Sequence, residues 1–253
     1  MRRQLVFVGG CPRSGTTALT RLLNRHSDVL IGNERYYRVI ERGELTPAHF
    51  EMDRFLSIEP GDTHDEPPGM DEGPNPHWVG VDPGGKVEAA RMIGDKYPPI
   101  FRAYPMLAER FADAHIVYVL RNPVSVAESY QGRADDVADR WPFDHRRAVD
   151  DWNRSVRATA EALADGMRIT VVAYETMMAG GAIGALLAAL GVGMRFVRPV
   201  DDLSETARIV ATKVAPRDEA VRQYVCLNAD TASYAALMQS AINTAQTGER
   251  RAG

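Results

Sequence analysis

The stretch QLVFVGGCPRSGTT, from Gln4 to Thr17, decides the fold. Gln4 to Val8 is a short apolar run that reads as a β-strand closed by Gly9-Gly10. A helix follows from about Ser14 to His26, with Ala18, Leu19, Leu22 and Leu23 at helical spacing. A strand, a tight loop and a helix in that order gather free backbone N–H groups and the positive helix end at one spot, which suits an anion. The spacing Gly10-x-x-x-x-Gly15 matches a nucleotide P-loop. The residue after Gly15 is Thr16 where that motif has Lys, and the cation stands inside the loop, at Arg13. Taken alone, a glycine-rich turn is also an ordinary structural turn.

Outward from this segment, strands and helices alternate. Val29 to Ile31, Arg91 to Gly94, His115 to Leu120 (HIVYVL) and Arg168 to Ala173 (RITVVA) read as strands, the last two as near-continuous apolar runs of the buried parallel kind. Helices are expected over Arg35 to Arg42, Pro47 to Leu56, Pro98 to Phe111, Pro123 to Ala134, Arg146 to Leu163 and Glu175 to Leu190. A loop around Arg195 to Pro216 precedes two helices near Asp218 to Cys226 and Asp230 to Ala245. This pattern predicts an α/β fold of the P-loop type, a three-layer α/β/α with a central parallel sheet of about five strands. The length of 253 residues suits a single domain, with a helical C-terminal region over 217–247. Residues 59–85 hold six Pro, six Gly and seven acidic residues, so no regular element is expected there. Such a loop is either a cover over an acceptor pocket or an irregular surface segment.

Composition removes several classes of function. At 45% hydrophobic and 25% charged the chain is an ordinary globular protein. A net charge of -4 argues against a nucleic-acid binder driven by a global positive field. Cys11 and Cys226 form no framework and no metal or redox spacing, and no His-x-x-x-His pair exists, so no metal site is expected. Leu5 to Val8 is too short for a signal-peptide core, and no run approaches a membrane span; a cytoplasmic location is the expectation. Of 30 basic residues only Lys86, Lys96 and Lys213 are lysines. Codon bias explains the arginine excess, and a lysine kept against it is a candidate for chemistry.

Kinases and ATPases need an acid at the end of a neighbouring buried strand to hold magnesium. Here HIVYVL ends in Arg121-Asn122-Pro123. A missing loop Lys and a cation in place of the acid point to phosphate binding by protein cations without magnesium. Ser129 follows Arg121 by eight residues, inside the helix opened by Pro123. An Arg fork and a Ser hydroxyl so placed can close on one phosphate; an Arg capping a loop and a Ser facing solvent is the alternative.

The loop Pro12 to Thr17 (PRSGTT) together with Arg121-Asn122-Pro123 and Ser129 resembles the sulfotransferases that use 3′-phosphoadenosine 5′-phosphosulfate (PAPS). Arg in the loop and a Glu after the second strand look like the branch that includes tyrosylprotein and many bacterial sulfotransferases. The cytosolic small-molecule branch carries Lys in the loop and a later Lys-x-His; here Gly94-Asp95-Lys96-Tyr97-Pro98 has no His. The resemblance implies in-line transfer of a sulfuryl group from PAPS to a hydroxyl of a carbohydrate, a glycolipid or a small metabolite, leaving adenosine 3′,5′-bisphosphate. It implies Glu34 as general base, with an exposed Glu paired to a nearby Arg as the bland alternative. It makes Arg13 the cation at the 5′-phosphate and bridging oxygen, and Lys96 a second cation near the sulfuryl group. Ser14, Gly15, Thr16 and Thr17 would bind the 5′-phosphate, and Arg121 and Ser129 the 3′-phosphate. Tyr174 would lie near the adenine, and Lys213 in a C-terminal loop over the cofactor. Lys86 receives no role, and His64 in the acidic loop is a weaker alternative base.

Two other readings stay open from sequence: a P-loop nucleotide or small-molecule kinase, and a non-catalytic protein that binds adenosine bisphosphate. No nucleic acid and no integral membrane segment are expected as partners. The oligomeric state is open between monomer and homodimer.

Overall fold

The computed structural model describes residues 3–63, 77–139, 141–193 and 218–242. Among these residues, five parallel strands form one sheet: β1 (Gln4–Gly10), β2 (Val29–Asn33), β3 (Met92–Lys96), β4 (His115–Leu120) and β5 (Ile169–Ala173). Their order is β2-β3-β1-β4-β5. The order reverses at β1, whose two neighbours come from later in the chain. In an open α/β sheet the crevice at such a reversal, outside the carboxyl ends of the strands, is where ligands bind.

Residues alternate between the two sheet faces. Val6, Val8, Ile31, Val117, Val119 and Val172 face helices α1 (Thr16–Leu23), α7 and α8, where α7 spans Tyr174–Met178 and α8 spans Ile183–Ala189. Phe7, Leu30, Ile93, Ile116, Tyr118 and Leu120 face the opposite layer. That layer holds α2 (Tyr37–Glu41), α3 (Met52–Leu56), α4 (Tyr104–Arg110), α5 (Pro123–Ala134), α6 (His145–Ala164), α9 (Glu219–Asn228) and α10 (Thr231–Ser240). Both faces are therefore covered, which is why the strands read as apolar runs rather than alternating ones. The expected three-layer α/β/α architecture with five parallel strands is what the described residues form.

Helix boundaries differ where local devices override periodicity. Pro98 to Phe111 is not one helix but a 3₁₀ turn, Ile100–Arg102, followed by α4, with Pro105 in the first turn of α4. Pro47 to Leu56 divides at Glu51, whose φ of -69° and ψ of 146° are extended. Glu175 to Leu190 divides at Gly180-Gly181, where Gly180 takes φ 81°. Helix α2 begins at Tyr37 rather than Arg35 because the amides of Arg35 and Tyr36 bond the buried Asp95 carboxylate. Lys86 gains a structural role: its Nζ donates to Asn24 O, the C-cap carbonyl of α1, at 2.5 Å. A cation at a helix C-terminus satisfies an orphan carbonyl and the dipole together. No helix among the described residues is long and apolar enough to cross a membrane.

The register decides what the strand ends bring together. Lys96 lies opposite Val8 on one side and Asn33 on the other, Gly10 opposite Val119, and Leu120 opposite Ala173. The residues that leave each strand next are Glu34, Tyr97, Cys11, Arg121 and Tyr174. Segments as far apart in sequence as Cys11 and Tyr174 thus emerge along one edge.

Candidate active site

The candidate phosphate loop, Pro12 to Thr17, opens with a tight turn from Cys11 to Gly15. Ser14 N donates to Cys11 O at 3.0 Å, closing the turn. Arg13 takes φ 71° and Gly15 φ 93°, two left-handed positions in a three-residue span. Gly15 is needed twice over, since a Cβ there would also lie 2.3 Å from the Tyr174 ring. It N-caps α1 without any side-chain acceptor, so the first-turn amides of that helix keep their donors.

Arg13 joins the two halves that sequence treats separately. Its Nε donates to Ser129 Oγ at 3.1 Å, and its carbonyl oxygen accepts from Arg121 Nη1 at 2.8 Å. The Arg121 guanidinium stacks on the Tyr174 ring at 4.4 Å. Trp152 Nε1 donates to the Arg121 carbonyl at 3.0 Å, fixing the backbone from which Arg121 leaves β4. Asn122 then caps α5, its Oδ1 accepting from Val124 N at 2.9 Å, and Pro123 fills the first helical position.

This cluster has surplus positive charge. Desolvation in the cleft, then the guanidinia of Arg133 and Arg121, lower the proton affinity of Arg13. An arginine does not give up its proton under such pressure; it waits for an anion. Arg133, one turn after Ser129, is partly neutralised by Asp139 at 2.5 and 2.7 Å. Ser14 Oγ and Arg121 Nε are buried with no hydrogen-bond partner among the described residues. Buried polar atoms of this kind call for an explanation, and a phosphate supplies acceptors for both. The residues present therefore fit a nucleotide phosphate group.

One strand further on, Glu34 follows β2 with φ 56°. Its Oε1 receives Lys96 Nζ at 2.5 Å. Lys96 is 2% exposed at the end of β3, between Glu34 and the strand that carries the phosphate loop. The Glu34 side chain, paired with Lys96, is 22% exposed. Tyr37 and Tyr97 pack edge to face at 5.1 Å nearby, and both feel the Glu34 charge.

The flanks of the acidic loop close around this point. Arg35 is fully buried and donates from Nη1 to Asp62 Oδ2 at 2.9 Å, from Nε to Phe55 O at 2.9 Å, and from Nη2 to Arg54 O and Ser57 O. At the other end of the loop, Asn33 N donates to His77 O at 2.8 Å, and Trp78 packs its ring on Phe55 at 5.1 Å. His64 and Lys213 lie outside the described residues. Among the described residues no three His, Cys, Asp or Glu side chains gather as metal ligands.

The sequence model of the Sulfotransferase family matches residues 5–195. The chain belongs to this family. As a sulfotransferase it is an enzyme of sulfuryl transfer, and its solved structural neighbours include others of the kind. The sulfotransferase domain from the curacin biosynthetic pathway shares 18% identity, with 89% of this chain and 97% of that domain covered at a TM-score of 0.50. A sulfotransferase from Alicyclobacillus acidocaldarius shares 18%, covering 93% and 100% at 0.46. The mouse sulfotransferase SULT7A1, complexed with PAP, shares 16%, covering 84% and 65% at 0.41. The first likeness is one of fold. No curated protein matches the sequence.

Within the sulfotransferase site, three residues escape a reading of the sequence. Asp95, Arg35 and Asp62 are buried charges, at 0%, 0% and 3% exposure. Burial pushes the Asp95 carboxyl up to about 7, opposed by the amides of Tyr36 and Arg35 and by the charges of Arg35 and Lys96. An acid at the end of a buried strand was the available signal for Asp95. Nothing in the spacing marks Asp62, which lies inside an irregular segment.

Proposed function

We propose that this sulfotransferase moves the sulfuryl group of PAPS to a hydroxyl of an acceptor, a carbohydrate, a glycolipid or a small metabolite, with Glu34 as general base. The observation that carries the proposal is the Glu34–Lys96 contact, set at the strand ends beside the phosphate loop. Bound PAPS would supply an activated sulfuryl group on a phosphate leaving group. The chain must then take a proton from the acceptor, steady charge on the sulfuryl oxygens and neutralise the departing phosphate.

Each task has a residue placed for it. The Glu34 carboxylate accepts the acceptor's hydroxyl proton as the new O–S bond forms. Lys96 has three N–H donors and spends one on Glu34, leaving two for sulfuryl oxygens. Arg13 and the amides and hydroxyls of Ser14, Gly15, Thr16 and Thr17 hold the 5′-phosphate, which takes the electron pair of the broken S–O bond. Arg121 and Ser129 hold the 3′-phosphate. Tyr174 packs against Gly15 and Arg121, which supports a place for the adenine beside that ring. Lys213 is assigned to the cofactor on resemblance alone. Arg in the loop and the carboxylate at 34 support reading the chain as one of the branch that uses a Glu base.

The chain is read as one sulfotransferase domain with the 59–85 loop over the acceptor side. The anchoring of its two flanks beside Glu34, through Asp62 and His77, supports this. The test is direct. Adenosine 3′,5′-bisphosphate without magnesium should raise the melting temperature, ATP with magnesium should not, and ³⁵S-labelled PAPS should label an acceptor fraction. Stabilisation by magnesium-ATP alone would favour a kinase, and bisphosphate binding without any transfer would leave a non-catalytic binder.

A further inference from the structure

A general base is useful only if its carboxylate is held where the proton will be, and Glu34 sits on an awkward piece of backbone. Its φ of 56° is left-handed, a region that is strained for a non-glycine residue. A conformation of this kind persists only where the surroundings over-determine it.

The surroundings here are two adjacent residues of β3. Glu34 N donates to Lys96 O at 2.8 Å. Arg35 N donates to Asp95 Oδ1 at 3.1 Å, and Tyr36 N to Asp95 Oδ2 at 2.9 Å. Three consecutive amides are thus gripped by Asp95-Lys96, while the Lys96 side chain takes the Glu34 carboxylate. Asp95 is fully buried, and the neighbouring Arg35 guanidinium is committed to Asp62 and to backbone carbonyls. A buried carboxylate is expensive to keep unless both oxygens are used. Gly32, opposite Asp95 in the β2–β3 register, leaves the room: a Cβ there would lie 2.8 Å from Asp95 Oδ1 and 2.9 Å from the Arg35 Cβ.

We propose that Asp95 is a positioning residue for sulfuryl transfer: by holding the two amides after Glu34 it fixes the turn that presents the Glu34 carboxylate to Lys96 and to the acceptor. It touches no reacting atom and acts through Glu34, so the proposal rests on the reading of Glu34 as base. An amide side chain in its place keeps one acceptor oxygen and turns an NH₂ donor toward the other backbone N–H. Asp95→Asn therefore breaks one of the two bonds at nearly constant volume. Gly32→Ala perturbs the same clamp from the other side, its methyl pressing on Asp95 Oδ1 while both carboxyl groups are retained.

The experiment compares Asp95→Asn, Gly32→Ala and Glu34→Gln in the full chain. Two solution readouts are the affinity for adenosine 3′,5′-bisphosphate by calorimetry and the release of that bisphosphate from PAPS with water as acceptor. The third is a crystal structure of each variant with the bisphosphate bound. We expect Asp95→Asn and Gly32→Ala to bind the bisphosphate within about twofold of the parent. Their turnover should fall about 10- to 100-fold, as misplacement by an ångström does. In the crystals the Glu34–Lys96 contact should open from 2.5 Å to beyond about 4 Å. Parent-like turnover in Asp95→Asn, a retained contact, or a loss of bisphosphate binding equal to the loss of rate would overturn the positioning role. If Asp95→Asn does not fold, Gly32→Ala decides by the same readouts. Unchanged turnover in Glu34→Gln would instead remove the base itself, a different failure from parent-like Asp95→Asn beside an inactive Glu34→Gln.

Discussion

Replacing Arg121 by alanine separates two jobs that its position lets it do. One is local. Arg121 Nη1 holds the Arg13 carbonyl at 2.8 Å, so its loss loosens the phosphate loop. A single such bond is worth about 1 kcal/mol, close to a fivefold change in affinity for any ligand of that loop. The other is direct. A guanidinium fork on a phosphate makes charge-assisted bonds of about 1.5–3 kcal/mol each. Arg121 is half-buried and screened in part, so about 3 kcal/mol is a fair total, or roughly 150-fold. Only a ligand with a 3′-phosphate loses that second part. Arg121→Ala should thus weaken adenosine 3′,5′-bisphosphate by several hundred-fold, roughly the product of the two factors. Adenosine 5′-phosphate, which meets only the loop, should weaken about fivefold. Calorimetric titration of both ligands into parent and variant reads the ratio. Arg121→Lys keeps the charge and loses the planar fork, so it should fall between the two. Equal weakening of both ligands would refute the reasoning: Arg121 would then act only through the Arg13 carbonyl and the Tyr174 stack.

Gly15→Ala should cost at least about 1–2 kcal/mol from its left-handed φ alone, lowering the melting temperature by several degrees. Because the new Cβ displaces Tyr174 and with it Arg121, bisphosphate affinity should drop about tenfold or more; parent-like melting and affinity would show that the loop absorbs the methyl. His115 is buried against Thr170 Oγ1 at 2.7 Å, and burial with the nearby Arg168 charge holds its imidazole down at about 4. Below its unfolded value of about 6.5 the unfolded chain takes up a proton that the native state refuses, so stability falls as pH drops from 6.5 towards 4, by up to about 3 kcal/mol. Asp95, raised to about 7, has the opposite sign: the native state binds its proton first, and its contribution declines as pH rises from about 4 to 7. Urea unfolding of parent and His115→Asn at pH 4.5, 5.5 and 6.5 isolates the histidine, and a parent-minus-variant difference that does not vary with pH would sink the assignment.

Local order in the chain accounts for the parts of the site that were legible. The phosphate loop is a contiguous strand–turn–helix, so its glycines and Arg13 announce themselves within about a dozen residues. Arg121 and Ser129 share a strand end and the helix that follows, a spacing that is again local. Helix limits were less legible where side chains from elsewhere intervene. Arg35 and Tyr36 would continue α2 by periodicity, but Asp95 on β3 captures their amides. Pro98 to Phe111 has a helical pattern, yet Ile100–Arg102 tightens to a 3₁₀ turn before α4.

Hydrophobic runs, glycine placement and the phosphate loop were enough to establish the five-strand α/β sheet, because each is a property of neighbours along the chain. The partner of Glu34 was not of that kind. Glu34 and Lys96 are 62 positions apart, and only the β2–β3 register, which sets Asn33 opposite Lys96, brings carboxylate and ammonium to 2.5 Å. The same holds for Arg13, whose side chain meets Ser129 across 116 positions. Sequence could place a carboxylate and several cations at the ends of strands. Which of them touch was decided by strand order and register, because parallel strands align their carboxyl ends irrespective of how far apart they lie in the chain.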